Sequence, residues 1–354
     1  MTGLPPSAEA QLAFLAKLQR LFAEGDFTAT YKFALLIALA DLAVENGTDT
    51  GAELVITNRQ IAERFIQLYW RQATPYGVGR VDASPGILVQ NTGAQAAVVS
   101  AIAKFRARVP AASPQLAAAH AGYQALLAKV TQVVSAQPLT FMQNFGGARD
   151  EFIYERFAPG KVRLKGGVAY CLRRFQPLAQ QLARTHWVDH IRLNRRNQPI
   201  LGNADDLDAF LFESSRQSLT VMGAGLRKLE GGKCFYCGLG MTTSDVDHFI
   251  PFSHYPRDLA HNFVLAHPAC NRSKSDMLAA KVHLEKWLYR IVHWSEQLAE
   301  VGSAAGMLSD VEVCRRVASW GYASAAVAGS HAWVAARSFE RVDGSYMSLL
   351  EGAA

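Results

Sequence analysis

This sequence of 354 residues has no long apolar run and no pattern of a secretion signal, and it contains five cysteines. No stretch of 18 or more uncharged apolar residues occurs, which argues against a membrane-spanning helix. The N-terminus, MTGLPPSAEAQL, lacks the basic-then-apolar order of a signal peptide. Three of the five cysteines crowd into one short segment, which in a long intracellular chain suggests metal binding rather than disulfides. We therefore expect a cytoplasmic protein with no membrane partner.

Internal repeats and long low-complexity tracts are absent from the sequence as well. Half of the residues are hydrophobic, and the length allows two or three domains with buried cores. The formal net charge of +6 is compatible with a polyanionic partner such as nucleic acid.

The N-terminal part has helical periodicity. Apolar residues recur at three- and four-residue steps from Glu9 to about Val44, with a break at Gly25. The stretch 56–72 repeats the period behind a possible Thr57 cap, and Ala-rich helical patterns follow up to residue 135. These patterns predict a helical bundle, and a helix-turn-helix that docks on DNA is the alternative.

A basic region follows between Lys161 and Arg196. It carries nine Lys or Arg residues and one acidic residue, Asp189, among aromatic and aliphatic residues on helix-like spacing. A charge run is commonly a solvated face, but this pattern also suits a helix that docks by one face and meets phosphates with the other. Candidate phosphate contacts are Arg173, Arg174, Arg192, Arg195 and Arg196. His186 and His190 have metal-ligand spacing, but no further ligand is evident nearby, so packing roles are the simpler interpretation.

Three of the five cysteines fall in one short segment, residues 233–276. Cys234 and Cys237 form a C-x2-C knuckle, and His267 and Cys270 form an H-x2-C knuckle downstream. Three thiolates and one imidazole complete a tetrahedral zinc site, and a closed site is structural. A catalytic or redox C-x2-C is the alternative, which the second knuckle disfavours. Cys171 and Cys314 are interpreted as core residues.

Between the knuckles, DVDHFIP and HNFVLAH have the character of two strands, and the sequence from Cys270 to Trp294 is helix-forming. Two strands followed by a helix and held by zinc make a compact ββα unit.

This segment resembles the HNH endonucleases of the ββα-metal superfamily over about residues 230–280. The residues that carry the match stand in the family's order and at compatible spacings, and His267 stands where zinc-bearing members usually have another cysteine. They are Cys234, Cys237, Asp247, His248, Pro251, Asn262, Cys270, Asn271 and Lys274.

The resemblance implies phosphodiester hydrolysis. His248 is expected as the general base, because imidazole titrates near neutral pH, and Asn262 is expected to fix the direction of its ring. Asp247 and Asn271 are expected to supply oxygen ligands to one Mg²⁺ or Mn²⁺. Arg272 and Lys274 are expected to contact phosphates, although a solvated basic turn is the alternative. His254 and His261 are interpreted as ordinary loop histidines.

The sequence thus predicts a mainly α protein that hydrolyses DNA. The preference for DNA over RNA as the substrate rests on the resemblance alone. A module that holds structural zinc and binds nucleic acid without cleaving it is the alternative. The layout also resembles that of HNH proteins of bacterial anti-phage systems, including Zorya-type systems, which implies protein partners in a defence system. The predicted domains are a helical region at 1–135, a basic helical region at 136–227, the HNH domain at 228–285 and a helical tail at 286–354.

Overall fold

The computed structural model describes residues 3–78, 84–111, 113–202, 206–213 and 216–352. It divides the chain into two compact units, Met1–Phe212 and Glu213–Ala354. Both are mostly helical with small sheets, which confirms the predicted fold class. The division into four domains stays a prediction.

The first unit is a helical assembly with a small antiparallel sheet. Its helices are α1 (Ala8–Glu24), α2 (Tyr31–Asn46), α3 (Asn58–Trp70), α4 (Ala97–Arg106), α5 (Pro114–Ala118), α6 (Tyr123–Ala136), α7 (Pro138–Phe141), α8 (Val168–Arg174), α9 (Gln176–Leu193), α10 (Gln198–Leu201) and α11 (Leu207–Phe212). Its strands are β1 (Leu54–Thr57), β2 (Asn144–Phe145), β3 (Ala148–Arg149), β4 (Tyr154–Ala158) and β5 (Lys161–Leu164). Strands β1, β5 and β4 form one sheet in that order, and β2 pairs with β3.

Helix α2 is the centre of this unit. Its residues from Tyr31 to Glu45 are all buried, as expected for a helix that is apolar on nearly every side. Its acidic side chains are satisfied inside the unit, since Asp41 accepts a hydrogen bond of 2.8 Å from Gln180 Nε2 and Glu45 pairs with Arg64. The apolar residues of α2 and of the helices that pack on it form one hydrophobic core.

The predicted helices over 9–44 and 56–72 are confirmed by α1, α2 and α3. Thr57 caps α3 with the reciprocal Thr57–Gln60 hydrogen bonds of a capping box. The helix-turn-helix alternative is not supported, because α2 is buried and strand β1 lies between α2 and α3. His186 stacks on Phe22 at 4.7 Å between ring centroids, which agrees with a packing role.

The basic region differs from the prediction in two ways. Its first residues form strand β5 of the β4–β5 hairpin instead of a helix. Arg173, a predicted phosphate contact, is buried: its Nη1 donates to the carbonyls of Ala43 and Val44 at 3.3 and 2.7 Å, and its Nε donates to Asp49 at 2.8 Å. The guanidinium therefore satisfies the C-terminal end of α2 and is withdrawn from solvent. Arg174, Arg192, Arg195 and Arg196 are exposed.

The second unit places a β-hairpin among helices. Its helices are α12 (Arg216–Leu229), α13 (Pro268–Lys274), α14 (Lys281–His293), α15 (Ser295–Ala305), α16 (Val311–Val327) and α17 (Gly344–Gly352). Its strands are β6 (Asp245–His248), β7 (Phe263–Ala266), β8 (His331–Ala335) and β9 (Ser338–Arg341). β6 pairs with β7 and β8 with β9, both antiparallel.

The order β6, β7, α13 is the predicted ββα unit. The expected continuous helix from Cys270 to Trp294 is instead split, because Ser275 adopts a left-handed conformation with φ of 53° and ends α13. The expected all-helical tail also contains the hairpin β8–β9. Cys171 and Cys314 are buried, which confirms their interpretation as core cysteines.

Candidate active site and metal centre

Two short segments bring four metal-binding side chains together. The turn after α12 carries Cys234 and Cys237, while His267 and Cys270 stand at the start of α13. Their ligand atoms all lie within 4.8 Å of one another. Cys237 Sγ is 3.3 Å from His267 Nδ1, and the His267 backbone N–H donates to Cys234 Sγ at 3.3 Å. This Cys3His cluster fits zinc binding.

His267, the residue that departs from the family pattern, is oriented as a ligand. Its Nε2 lies 3.2 Å from the carbonyl oxygen of Gly240. A hydrogen bond from Nε2–H to that carbonyl directs the lone pair of Nδ1 toward the three sulfurs, which is how ligating histidines are commonly held.

Two thiols of the cluster, those of Cys234 and Cys270, have perturbed pKa values. Burial acts to raise the pKa of Cys234, but hydrogen bonds from the backbone N–H groups of Cys237, His267 and Tyr236 outweigh it and lower the pKa to about 7. Burial and the neighbouring thiols raise the pKa of Cys270 to about 12. Crowded thiols that oppose each other's ionisation are stabilised when a cation binds among them.

The predicted base, His248, is the last residue of β6. Its Nε2 lies 2.6 Å from Oδ1 of Asp258, in the loop between β6 and β7. The side chains of the pair are 19% and 13% exposed, and the His248 ring packs on Phe263 at 4.4 Å between centroids. Among the described residues, His248 Nδ1 has no hydrogen-bond partner. The imidazole is thus held by one nitrogen and presents the other.

Asn262 has a different position from the expected one. Its Oδ1 accepts from the Ile250 backbone N–H at 2.8 Å, and its Nδ2 donates to the Ile250 carbonyl at 2.9 Å. Its own carbonyl accepts from Phe249 N–H at 2.7 Å. Because both ends of the carboxamide are used on Ile250, the ring of His248 is oriented by Asp258 instead. Asn262 fixes the backbone that leaves β6.

Asp247 is buried and has two partners. Its Oδ2 accepts a hydrogen bond of 2.5 Å from Tyr236 Oη and lies 3.1 Å from Lys274 Nζ. Lys274 also donates to the His248 carbonyl at 2.9 Å, and its side chain is fully buried. Lys274, a predicted phosphate contact, is therefore withdrawn from solvent, whereas Arg272 is exposed. Burial lowers the pKa of Lys274, and burial together with Asp247 raises the pKa of Tyr236 well above its usual value.

Asn271 pairs with a residue that the sequence analysis did not select. Its Nδ2 donates to Asp245 Oδ2 at 3.1 Å. Alternation along β6 puts Asp245 and Asp247 on one face, and α13 offers them Asn271 and Lys274 three positions apart. The donor set Asp245, Asp247 and Asn271 is rich in oxygen, as Mg²⁺ and Mn²⁺ require.

The sequence pattern could have identified Asp245 as a site residue, because it stands two residues before Asp247 in a predicted strand and therefore on the same face. No local pattern marks Asp258 as a site residue, since only the path of the loop brings it next to His248, ten residues earlier. His254 and His261 lie in the same region, and burial lowers the pKa of both. His261 is engaged internally by the Ser295 carbonyl at 3.1 Å.

Comparison with known proteins agrees with this geometry. The family model of HNH endonucleases matches residues 234–277, from the first knuckle through α13, so this segment is an HNH domain and indicates a nuclease or nucleic-acid-related function. A second model, described as a domain of unknown function (DUF8808), matches residues 11–207, which is more than half of the chain. The chain therefore belongs to the DUF8808 family. Neither the curated proteins nor the solved structures gave a match.

Within the described ranges, no helix is long and apolar enough to span a membrane.

Proposed function

We propose that this protein is a metal-dependent endonuclease that hydrolyses phosphodiester bonds of DNA. The observation that carries the proposal is the partly buried His248–Asp258 pair at the end of β6, next to a face rich in oxygen ligands. Both lie inside the segment that matches the HNH model.

His248 acts as the general base. With Nε2–H donated to Asp258, the lone pair of Nδ1 is left to accept a proton from the attacking water. The Asp258 carboxylate stabilises the imidazolium that forms. Asn262 serves the same step by fixing Phe249 and Ile250, directly after the base.

The oxygen face of β6 and α13 binds the catalytic cation. Asp245, Asp247 and Asn271 are the side chains that would hold it. When bound, Mg²⁺ or Mn²⁺ supplies a Lewis acid for the phosphate and the leaving oxygen. Lys274 and Tyr236 hold Asp247 from the other side, so its carboxylate is oriented before substrate arrives.

Zinc at the Cys3His cluster has a structural role. All four ligands come from the protein, so the site is closed to water and substrate. The zinc would join the turn after α12 to the start of α13 and thereby set the position of Asn271.

Exposed arginines supply phosphate contacts within each unit. Arg272 follows Asn271 directly, and Arg174, Arg192, Arg195 and Arg196 are exposed in the first unit. Such contacts position a nucleic acid without reading its sequence.

One observation favours a second candidate, a nucleic-acid-binding module without catalysis. Asp247 already has two hydrogen-bonding partners, Tyr236 and Lys274, and Asn271 is paired with Asp245. A site in which these pairs never open would bind zinc and DNA but cleave nothing.

Cleavage of supercoiled plasmid distinguishes the two candidates. Wild type, His248→Ala and the matched control His331→Ala, an exposed histidine of the same unit, are incubated with Mg²⁺, with Mn²⁺ and with EDTA. The proposal expects relaxed or linear product from wild type and His331→Ala only when metal is present. If all three proteins retard the plasmid on a gel and none cuts it, the binding module is the better description. Single-stranded RNA run in parallel tests the choice of DNA.

The defence setting and its protein partners rest on a resemblance in layout and stay a prediction. Inspection of the neighbouring genes tests this prediction, because the genes of one defence system commonly lie side by side.

A further inference from the structure

The first unit contains a cleft that the proposed nuclease function does not use. Its volume is about 680 Å³, within the usual range for small-molecule sites. It is an open cleft, lined by the start of α2, the start of α4, the end of α6 and the segment that leads from α7 into β2. We propose that this cleft binds a nucleoside phosphate.

The charge at the base of the cleft comes from Lys32. This residue is only 7% exposed, and its Nζ donates one hydrogen bond, to the Asn144 carbonyl at 3.1 Å. An ammonium group has three N–H donors, and Asn144 accepts one of them. The Phe27 ring also lies 5.3 Å from Nζ in a cation–π contact. Asp26 also lines the cleft and is an acidic group that acts on Lys32, and the exposed Lys129 adds a second cation. An anionic group of the ligand would satisfy the donors that remain on Lys32.

The start of α2 strengthens this preference for an anion. Tyr31 and Lys32 are its first two residues, and both line the cleft. The N-cap residue, Thr30, does not cap the helix, because its hydroxyl is bonded to Tyr69 Oη at 2.7 Å. The positive end of a helix of 16 residues is therefore left without a side-chain cap beside a buried lysine.

The rest of the lining suits a planar, hydrogen-bonding group. Phe141 is 47% exposed at the rim and offers a face on which a base can stack. Asn144 Oδ1 is buried without a hydrogen-bond partner among the described residues, and Gln137 lines the same wall. A phosphate alone would reach Lys32 but leave Phe141 and the amides without contacts. A nucleoside phosphate uses both halves of the cleft.

Calorimetric titration of the full chain tests the proposal. The probes are ATP, GTP, CTP and UTP, with tripolyphosphate and adenosine as the two halves of a ligand. The protein variants are Lys32→Met, Lys129→Gln and the exposed control Lys104→Gln, which lies outside the cleft. At least one nucleotide is expected to bind with a Kd below about 1 mM. Removal of the Lys32 charge is expected to weaken it about 10- to 100-fold, the usual value of a charge-assisted hydrogen bond.

Lys129→Gln and Phe141→Ala change exposed rim residues, so they test the site even if Lys32→Met does not fold. Both are expected to weaken nucleotide binding, whereas Lys104→Gln is not. The proposal is overturned if no nucleotide binds, or if binding is the same in the Lys32, Lys129 and Phe141 variants as in wild type. Tripolyphosphate binding as tight as the best nucleotide would overturn the nucleoside part.

Discussion

His248 Nε2 and Asp258 Oδ1 lie 2.6 Å apart across the loop that joins the two strands of the HNH hairpin. This contact gives the candidate base a fixed tautomer and direction. It also makes Asp258 a positioning residue that the spacing of the HNH motif does not indicate.

The first prediction concerns Asp258. Asp258→Asn keeps the shape of the side chain but removes the charge that favours Nε2–H, so plasmid cleavage should fall about 10- to 100-fold, as for other residues that orient a catalytic group. Initial rates with Mg²⁺ measure this, beside Asp189→Asn as an exposed control. The far-ultraviolet circular dichroism of both variants should equal that of wild type. Full activity in Asp258→Asn would remove Asp258 from the mechanism.

The second prediction concerns zinc. Purified protein should contain about one zinc per chain, and His267→Ala should lose it, because three thiolates do not complete the closed site. The control His331→Ala removes an exposed histidine outside the cluster and should keep the metal. Metal analysis after dialysis measures both. Equal zinc in the two variants would contradict the assignment of His267 as a ligand.

The third prediction concerns Lys274. Replacement by Met leaves the buried Asp247 carboxylate without its cation, and breaking such a pair costs about 3–5 kcal/mol. Urea unfolding of Lys274→Met should show this loss, whereas Lys228→Met, at an exposed lysine of the same unit, should unfold like wild type. If Lys274 instead met phosphates in solvent, the variant would lose DNA affinity and keep its stability.

The fourth prediction concerns pH. Burial lowers the pKa of His283, whose Nε2 lies 2.8 Å from the Val334 carbonyl. Between its folded pKa and its ordinary value near 6.5, the unfolded chain binds more protons, so stability falls as the pH drops through this window. One such group contributes at most about 1.4 kcal/mol per pH unit. His283→Gln should reduce the pH slope of the unfolding free energy, which urea unfolding at several pH values measures. An unchanged slope in this variant would contradict the prediction.

The fifth prediction separates two kinds of arginine in the basic region. Arg173→Met should lower the stability of the first unit by about 2 kcal/mol, because the buried carbonyls of Ala43 and Val44 lose their donor. The double change Arg192→Ala and Arg195→Ala should leave stability intact and weaken DNA binding. It should also reduce the slope of log affinity against log salt by about one for each phosphate that the variant no longer binds. Filter binding at several salt concentrations checks the second part.

Local sequence patterns were sufficient to predict the HNH hairpin and the long helices. The strand spacing around Asp247 and His248, and the apolar steps of α1, α2 and α3, act over a few residues, so they can be read from the sequence.

Contacts between distant segments could not be predicted in the same way. In the sequence Arg173 belongs to a basic run. In the structure it is buried because it donates to carbonyls at the end of α2, about 130 positions earlier. Asp258 is directed at His248 only by the fold of its loop. The β4–β5 hairpin had a signal in its Pro159–Gly160 turn, which the surrounding charge pattern obscured.

If His248 is the base of a metal-dependent nuclease, cleavage must depend on its imidazole. The most direct test is the first-order rate of plasmid nicking with saturating Mg²⁺, for His248→Ala against His331→Ala. Loss of a general base should slow His248→Ala by about 100-fold or more, with His331→Ala equal to wild type. Equal rates in the two variants, or nicking that continues in EDTA, would contradict the account.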